Sequence, residues 1–202
     1  TPDQRAVIYR IGKGKCAMCG IEVSEAFKIL HMDKRWNDCN MTSYVYPGCG
    51  YGGYCLPKDT CALYSQAKQK GFEPNILKNV IDTNNSRANT IVDNISKGLD
   101  TDKAIGILGL SFKPESDDVR DTPSAKIIKG LIDKGYKNIY AYDPIAVDEF
   151  KSKYPELNLM YCSSARDVYD STDVLVIATA WEEFKKVPSF GDKKIIDCRY
   201  ML

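Results

Sequence analysis

The 202-residue sequence predicts an α/β protein in two parts, a helical region over residues 1–100 and a parallel-sheet domain over residues 101–202. Three observations predict it. Residues 75–99 carry apolar side chains at helical spacing, with Ile76, Val80, Ile81, Ala88, Ile91, Val92, Ile95 and Leu99 on one stripe. From residue 102 onward, short apolar runs of strand length alternate with helical patterns. That alternation requires crossover connections, hence parallel strands with helices on both faces, a Rossmann-like arrangement. Between the N-terminus and the long helix lies a glycine-rich loop, residues 47–59, that runs into a helix.

Taken in order, Ile21, Val23, Phe27 and Leu30 mark one face of a short helix, with Ser24 a candidate cap and His31, the only histidine, near its end. After the glycine loop, Asp59 is a suitable N-cap for a helix over 60–70 that Gly71 closes. The helix over 75–99 would be about 37 Å long, more than a small domain needs for itself, and such helices bridge domains or subunits. Its middle, residues 82–87, is polar all round, so this turn is expected to meet a partner or a ligand instead of a core. Strands follow at 103–110, 138–143, 158–161, 173–178 and 193–197, and helices at 122–134, 147–153, 165–170 and from Trp181. Thr122-Pro123 opens the first of these helices, and the domain boundary is expected near 97–102.

Composition narrows the function. Lys and Arg number 28 against 27 Asp and Glu, and no basic cluster is interleaved with aromatics, which argues against nucleic acid. No apolar run approaches the roughly 20 residues that span a bilayer, and no basic-then-apolar leader opens the sequence, so a soluble, cytoplasmic protein is expected with no membrane partner. The eight cysteines are irregularly spread and read as mostly reduced thiols. Cys16 and Cys19 form a CxxC pair without a second pair or histidines at zinc-ligand spacing, so no metal is expected.

The loop carries the chemistry. Gly48, Gly50, Gly52 and Gly53 let the backbone take positive φ and bring bare N–H groups against a ligand, and Cys55 follows with Lys58 and Asp59 close behind. A thiol near a helix N-terminus and an ammonium has reason to ionise, which makes Cys55 a candidate nucleophile. The alternative is a tight turn followed by a buried free cysteine. In a parallel sheet, ligands lie over the carboxyl ends of the strands. The residues expected there are the loop 111–121 with Lys113 and Arg120, then Asp143, Ala180, Cys198 and Arg199. Two cations over one strand end suit a diphosphate. The G-x-G-x-x-G fingerprint is missing, since only Gly106 and Gly109 precede Phe112-Lys113-Pro114, so a nucleotide is expected there without the usual NAD site. The alternative for these cations is a solvated loop, paired with Asp117, Asp118 and Asp121.

Together these segments resemble the UDP-glucose/GDP-mannose dehydrogenase family over roughly residues 20–202. Gly50-Tyr51-Gly52-Gly53-Tyr54-Cys55-Leu56-Pro57-Lys58-Asp59 looks like its catalytic-cysteine motif. Ile107-Leu108-Gly109-Leu110-Ser111-Phe112-Lys113 with Asp118-Val119-Arg120-Asp121-Thr122-Pro123 looks like the opening of its nucleotide-sugar domain. The resemblance implies oxidation of a sugar primary alcohol to a carboxylate with two NAD. Cys55 would attack the aldehyde, and Asp59 would orient the water that hydrolyses the thioester. It further implies that Tyr46, Gly48, Gly50, Tyr51 and Gly52 wrap the sugar and phosphates and that Phe112 and Lys113 hold the uridine diphosphate. Arg199 would contact substrate, Arg120 with Cys55 would meet NAD, and Arg35 would reach the neighbouring subunit's substrate. A homodimer through the long helix is implied as well. Family members run to about twice this length, and their NAD domain and an oxyanion lysine and asparagine have no counterpart here. The chain by itself is therefore expected to be catalytically silent.

Overall fold

The computed structural model describes residues 48–202. The expectations for Cys16, Cys19, His31, Arg35, Tyr46 and a helix over 21–31 lie outside the described residues. The first described helix, α1 (Cys55–Gln69), begins five residues earlier than the sequence led us to expect. Asp59 is inside it and is not the cap; Tyr54 holds the N-cap position without a side-chain cap bond. Pro57 is tolerated because first-turn N–H groups lack intrahelical partners in any case. At the other end Gly71 takes φ +79° while the Phe72 N–H donates to the Ala67 carbonyl at 3.0 Å, closing the helix.

Helix α2 (Asn75–Ser96) divides by environment. Ala88, Ile91, Val92 and Ile95 are buried, whereas Ile76 and Val80 are exposed, as are Leu63 and Phe72 of the preceding segment. The sheet is fully parallel in the order β3-β2-β1-β4-β5, built from β1 (Ile105–Leu108), β2 (Ile139–Tyr142), β3 (Met160–Tyr161), β4 (Val174–Ile177) and β5 (Lys194–Asp197). The crossovers are α3 (Pro123–Asp133), α4 (Val147–Lys153), α5 (Ala165–Ser171) and a 3-10 segment, Glu182–Phe190. That last segment is the short helix expected from Trp181, in 3-10 form, and Pro188 within it removes a ladder donor. Thr122 caps α3 by accepting from the Ser124 N–H, with Pro123 at the first turn.

Every residue of β1 and β4 is buried, as two-sided coverage demands. One core joins Ile107 and Val176 to α2, to Ile127, Ile128 and Leu131 of α3 and to Phe150 of α4. The opposite core joins Leu108 and Leu175 to Val168 and Tyr169 of α5 and to Phe184 and Val187. Helix α2 thus covers the same face as α3, where a methyl on Gly130 would come within 2.9 Å of Val92 Cγ2. Crossovers diverge from β1 and β4 to opposite sides, which opens the crevice at their carboxyl ends.

Candidate functional site

The glycine loop lies across those carboxyl ends, and ties at successive residues hold it there. Arg87 Nε of α2 donates to the Gly48 carbonyl at 2.6 Å. Cys49 is buried, and its thiol donates to the Ala178 carbonyl at 3.4 Å, just past β4. The same carbonyl accepts from Arg199 Nε at 2.6 Å. Asn84 pairs with Tyr51 in both directions, its Oδ1 accepting the Tyr51 N–H at 2.8 Å and its Nδ2 donating to the Tyr51 carbonyl at 3.2 Å. The Gly53 N–H donates to the Arg120 carbonyl at 2.8 Å. Gly52 is packed so closely that a methyl there would collide with the Asp121 carbonyl and come within 3.0 Å of Pro123 Cδ. Asp121 itself takes φ +50° at this approach, a region Asp tolerates better than most residues.

Cys55 follows two residues after the last tie. It is exposed, so the buried-thiol alternative does not hold. The exposed Cys61 sits farther along the same helix. Lys58 and Asp59 form an exposed ion pair at 2.8 Å, and the Asp59 carboxylate pushes the Lys58 ammonium up by hydrogen bond and charge. Tyr54 meets two cations, with Arg120 at 4.7 Å and Lys58 at 5.2 Å from its ring centroid. Arg120 also forks onto Asp118, with Nη2 at 2.7 Å and Nε at 2.9 Å. That guanidinium holds the Asp118 carboxyl below the usual carboxylate range. Pairing with a neighbouring aspartate, the alternative for this loop, therefore occurs at Arg120, while Asp121 pairs with Lys126 at 2.8 Å.

Phe112 borders the loop, its ring 3.0 Å from where a Gly53 methyl would stand, and Lys113 lies 5.6 Å over that ring. The structure thus brings Gly48, Gly50, Tyr51, Gly52, Phe112, Lys113, Arg120 and Arg199 together at the carboxyl ends of the strands, with Cys55 two residues past the last tie and Asp59 about one turn further along α1. Burial pushes the thiols of Cys49 and Cys198 up, which keeps them protonated and poorly nucleophilic. Asp143, at the end of β2, is buried and accepts from six groups: the Leu110, Ser111, Ile145 and Ala146 N–H, the Ser111 hydroxyl and Trp181 Nε1. It shapes the turn that leads to Phe112. Sequence reasoning marked the polar turn of α2 without seeing Asn84 and Arg87 as its agents, and nothing in the sequence marked Tyr54. Among the described residues no group of His, Cys, Asp and Glu is arranged to hold a metal, and no helix is long and apolar enough to cross a membrane.

The fold and this crevice define a doubly wound α/β protein with an exposed thiol two residues past the loop that crosses the strand ends. Residues 106–202 match the UDP-binding domain of the UDP-glucose/GDP-mannose dehydrogenase family, and residues 12–86 match its central domain. A UDP-glucose 6-dehydrogenase of Rickettsia bellii is 38% identical over 173 residues, which is 84% of this chain and 39% of that protein. Among solved structures, a UDP-glucose dehydrogenase from the hyperthermophilic archaeon Pyrobaculum islandicum aligns with TM-score 0.75 at 27% identity, over 98% of this chain and 44% of that one. A GDP-mannose dehydrogenase from Pseudomonas aeruginosa aligns with TM-score 0.70 at 29% identity, over 89% and 42%. The chain belongs to the UDP-glucose/GDP-mannose dehydrogenase family, and it spans about two fifths of the length of the curated relatives it matches.

Proposed function

We propose that this chain supplies the catalytic thiol and the nucleotide-sugar site of an NAD-dependent UDP-glucose 6-dehydrogenase. The carrying observation is the exposed Cys55 at the first turn of α1, directly after a loop fastened to the strand ends. Helix N-termini favour anions, as do the neighbouring Lys58 and Arg120. In this reading the Cys55 sulfur adds to the aldehyde carbon to give a thiohemiacetal, and loss of the hydride from that carbon gives a thioester. Asp59 orients the water that cleaves it, releasing the carboxylate and the thiol. Phe112 stacks on the uracil, Lys113 pairs with the diphosphate, and Arg199 with the loop of Tyr46, Gly48, Gly50, Tyr51 and Gly52 encloses the sugar.

NAD, which the family implies, supplies the hydride acceptor. The described residues lack the glycine fingerprint for it, and the N-terminus of α3 is covered by Gly52. Arg120 and Cys55 are proposed to meet NAD. Helix α2, whose first half leaves Ile76 and Val80 exposed, is proposed as the dimer contact, with Arg35 reaching the neighbouring subunit's substrate. The similarity to a GDP-mannose dehydrogenase favours a second reading, a different nucleotide sugar on the same site.

Cys55 and Cys61 are two exposed thiols on one helix and test the proposal without turnover. With iodoacetamide near neutral pH, Cys55 is expected to be alkylated faster than Cys61, and UDP-glucose is expected to slow Cys55 alone. Equal rates with no effect of the nucleotide sugar would remove the assignment.

A further inference from the structure

We propose that Asn84 is a positioning residue for the glycine loop, holding Gly50 and Tyr51 in the shape that receives the sugar diphosphate; this rests on the reading of that loop as the substrate loop. Tyr51 belongs to no strand, so its backbone N–H and carbonyl need partners from elsewhere. The carboxamide of Asn84 offers one acceptor and one donor in a plane, as a peptide group would, and Tyr51 uses both. The orientation of that amide follows from the partners, because an N–H must face its oxygen and a carbonyl its nitrogen.

Gly50 belongs to the same device. It takes φ +102°, and a methyl there would stand 2.7 Å from Asn84 Oδ1, so only glycine admits the amide at this distance. Arg87, one turn further along α2, holds the Gly48 carbonyl, and Cys49 roots the loop in the sheet through Ala178. The loop is therefore gripped from α2 on one side and from β4 on the other. Of these grips, the one at Asn84 acts nearest to Cys55 from the helical side. The polar turn at residues 82–87 thus meets a ligand-binding segment of its own chain.

Because Cys49 is buried by the closed loop, its alkylation reports loop opening. In Asn84→Ala, iodoacetamide is expected to label Cys49 roughly tenfold faster relative to Cys162, from the loss of two hydrogen bonds. The UDP-glucose concentration that half-protects Cys55 is expected to rise by roughly the same factor. Asn84→Asp keeps the acceptor for the Tyr51 N–H and is expected to fall between parent and Asn84→Ala in both measurements. Parent-like half-protection in Asn84→Ala would overturn the positioning role, whether or not Cys49 labelling changes. Should UDP-glucose fail to protect Cys55 in the parent, the proposed function falls, and the Cys49 rate alone then decides whether Asn84 sets the loop.

Discussion

Replacing Asp143 by asparagine keeps the size of the side chain and removes one acceptor oxygen from a buried cluster of six donors. Oδ2 serves the Leu110 N–H at 2.8 Å, the Ser111 N–H and hydroxyl at 3.2 Å and Trp181 Nε1 at 3.1 Å. Oδ1 serves the Ile145 N–H at 3.1 Å and the Ala146 N–H at 2.9 Å. Whichever oxygen becomes an NH2 group, at least two backbone N–H groups then face a donor. The milder choice gives up Oδ1, since Ile145 is half exposed and water can reach it, while Ala146 is fully buried. With roughly 1–3 kcal/mol for each buried donor left unpaired, and the Ala146 N–H the one such donor, the expected loss is about 1–3 kcal/mol. Urea denaturation followed by Trp181 fluorescence, in a Trp36→Phe background that leaves a single indole, measures it. Trp181→Phe, which removes one donor and leaves five, should cost less, read by circular dichroism because it also removes the reporting indole. A loss below about 0.5 kcal/mol for Asp143→Asn would show that the cluster is not what holds the turn leading to Phe112.

Gly52→Ala should destabilise the chain by roughly 1–3 kcal/mol and expose Cys49, because the new methyl meets the Asp121 backbone, which cannot swing aside as a side chain could. Gly52 is not among the glycines with positive φ, so the shift in urea midpoint reads the collision without added backbone strain. Tyr142 has a phenol pushed up to about 12 by burial, with the Glu183 carboxylate and Asp143 adding to it. The folded state therefore favours the protonated form, and its stabilisation is whole below the usual phenol value near 10 and is lost as pH rises from there toward 12. Stability should fall across that window in the parent and fall less in Tyr142→Phe, whose phenolate absorbance should also lack the latest-titrating tyrosine.

Much of the sheet domain was legible because each of its elements carries a local signature. Four-residue apolar runs gave the strands, Thr122-Pro123 gave the start of α3, and the spacing of Ala88, Ile91, Val92 and Ile95 gave the buried stripe of α2. The errors came where local signals compete. Asp59 is a good cap by type, but Tyr54 and Cys55 already lie on the helical path, and the proline between them and Asp59 costs nothing in a first turn. The short helix expected from Trp181 is there, and only its 3-10 form, with Pro188 inside it, was not to be read from the pattern. Within the site, the reactive residue types could be named from the motif, while their partners could not. Asn84 and Tyr51 are 33 positions apart and Cys49 and Ala178 are 129 apart, and no periodicity encodes contacts across such distances.

Those long-range contacts decide which part of the chain governs the sulfur. Up to Gly53, the loop is bound to groups of the sheet domain and of the α2 segment that packs on it. Only Tyr54 intervenes before Cys55, and Tyr54 in turn lies under Arg120, which Asp118 holds. Helix α1 buries no side chain among the described residues, so it has little of its own with which to fix its first turn. The position of Cys55 is accordingly set from the sheet domain, through the Gly53 and Arg120 backbones and the aromatic contact. On the proposed function, a loop that closes over a diphosphate at Phe112 and Lys113 would carry the Cys55 thiol with it, and recognition of the nucleotide sugar would then be coupled to placement of the sulfur.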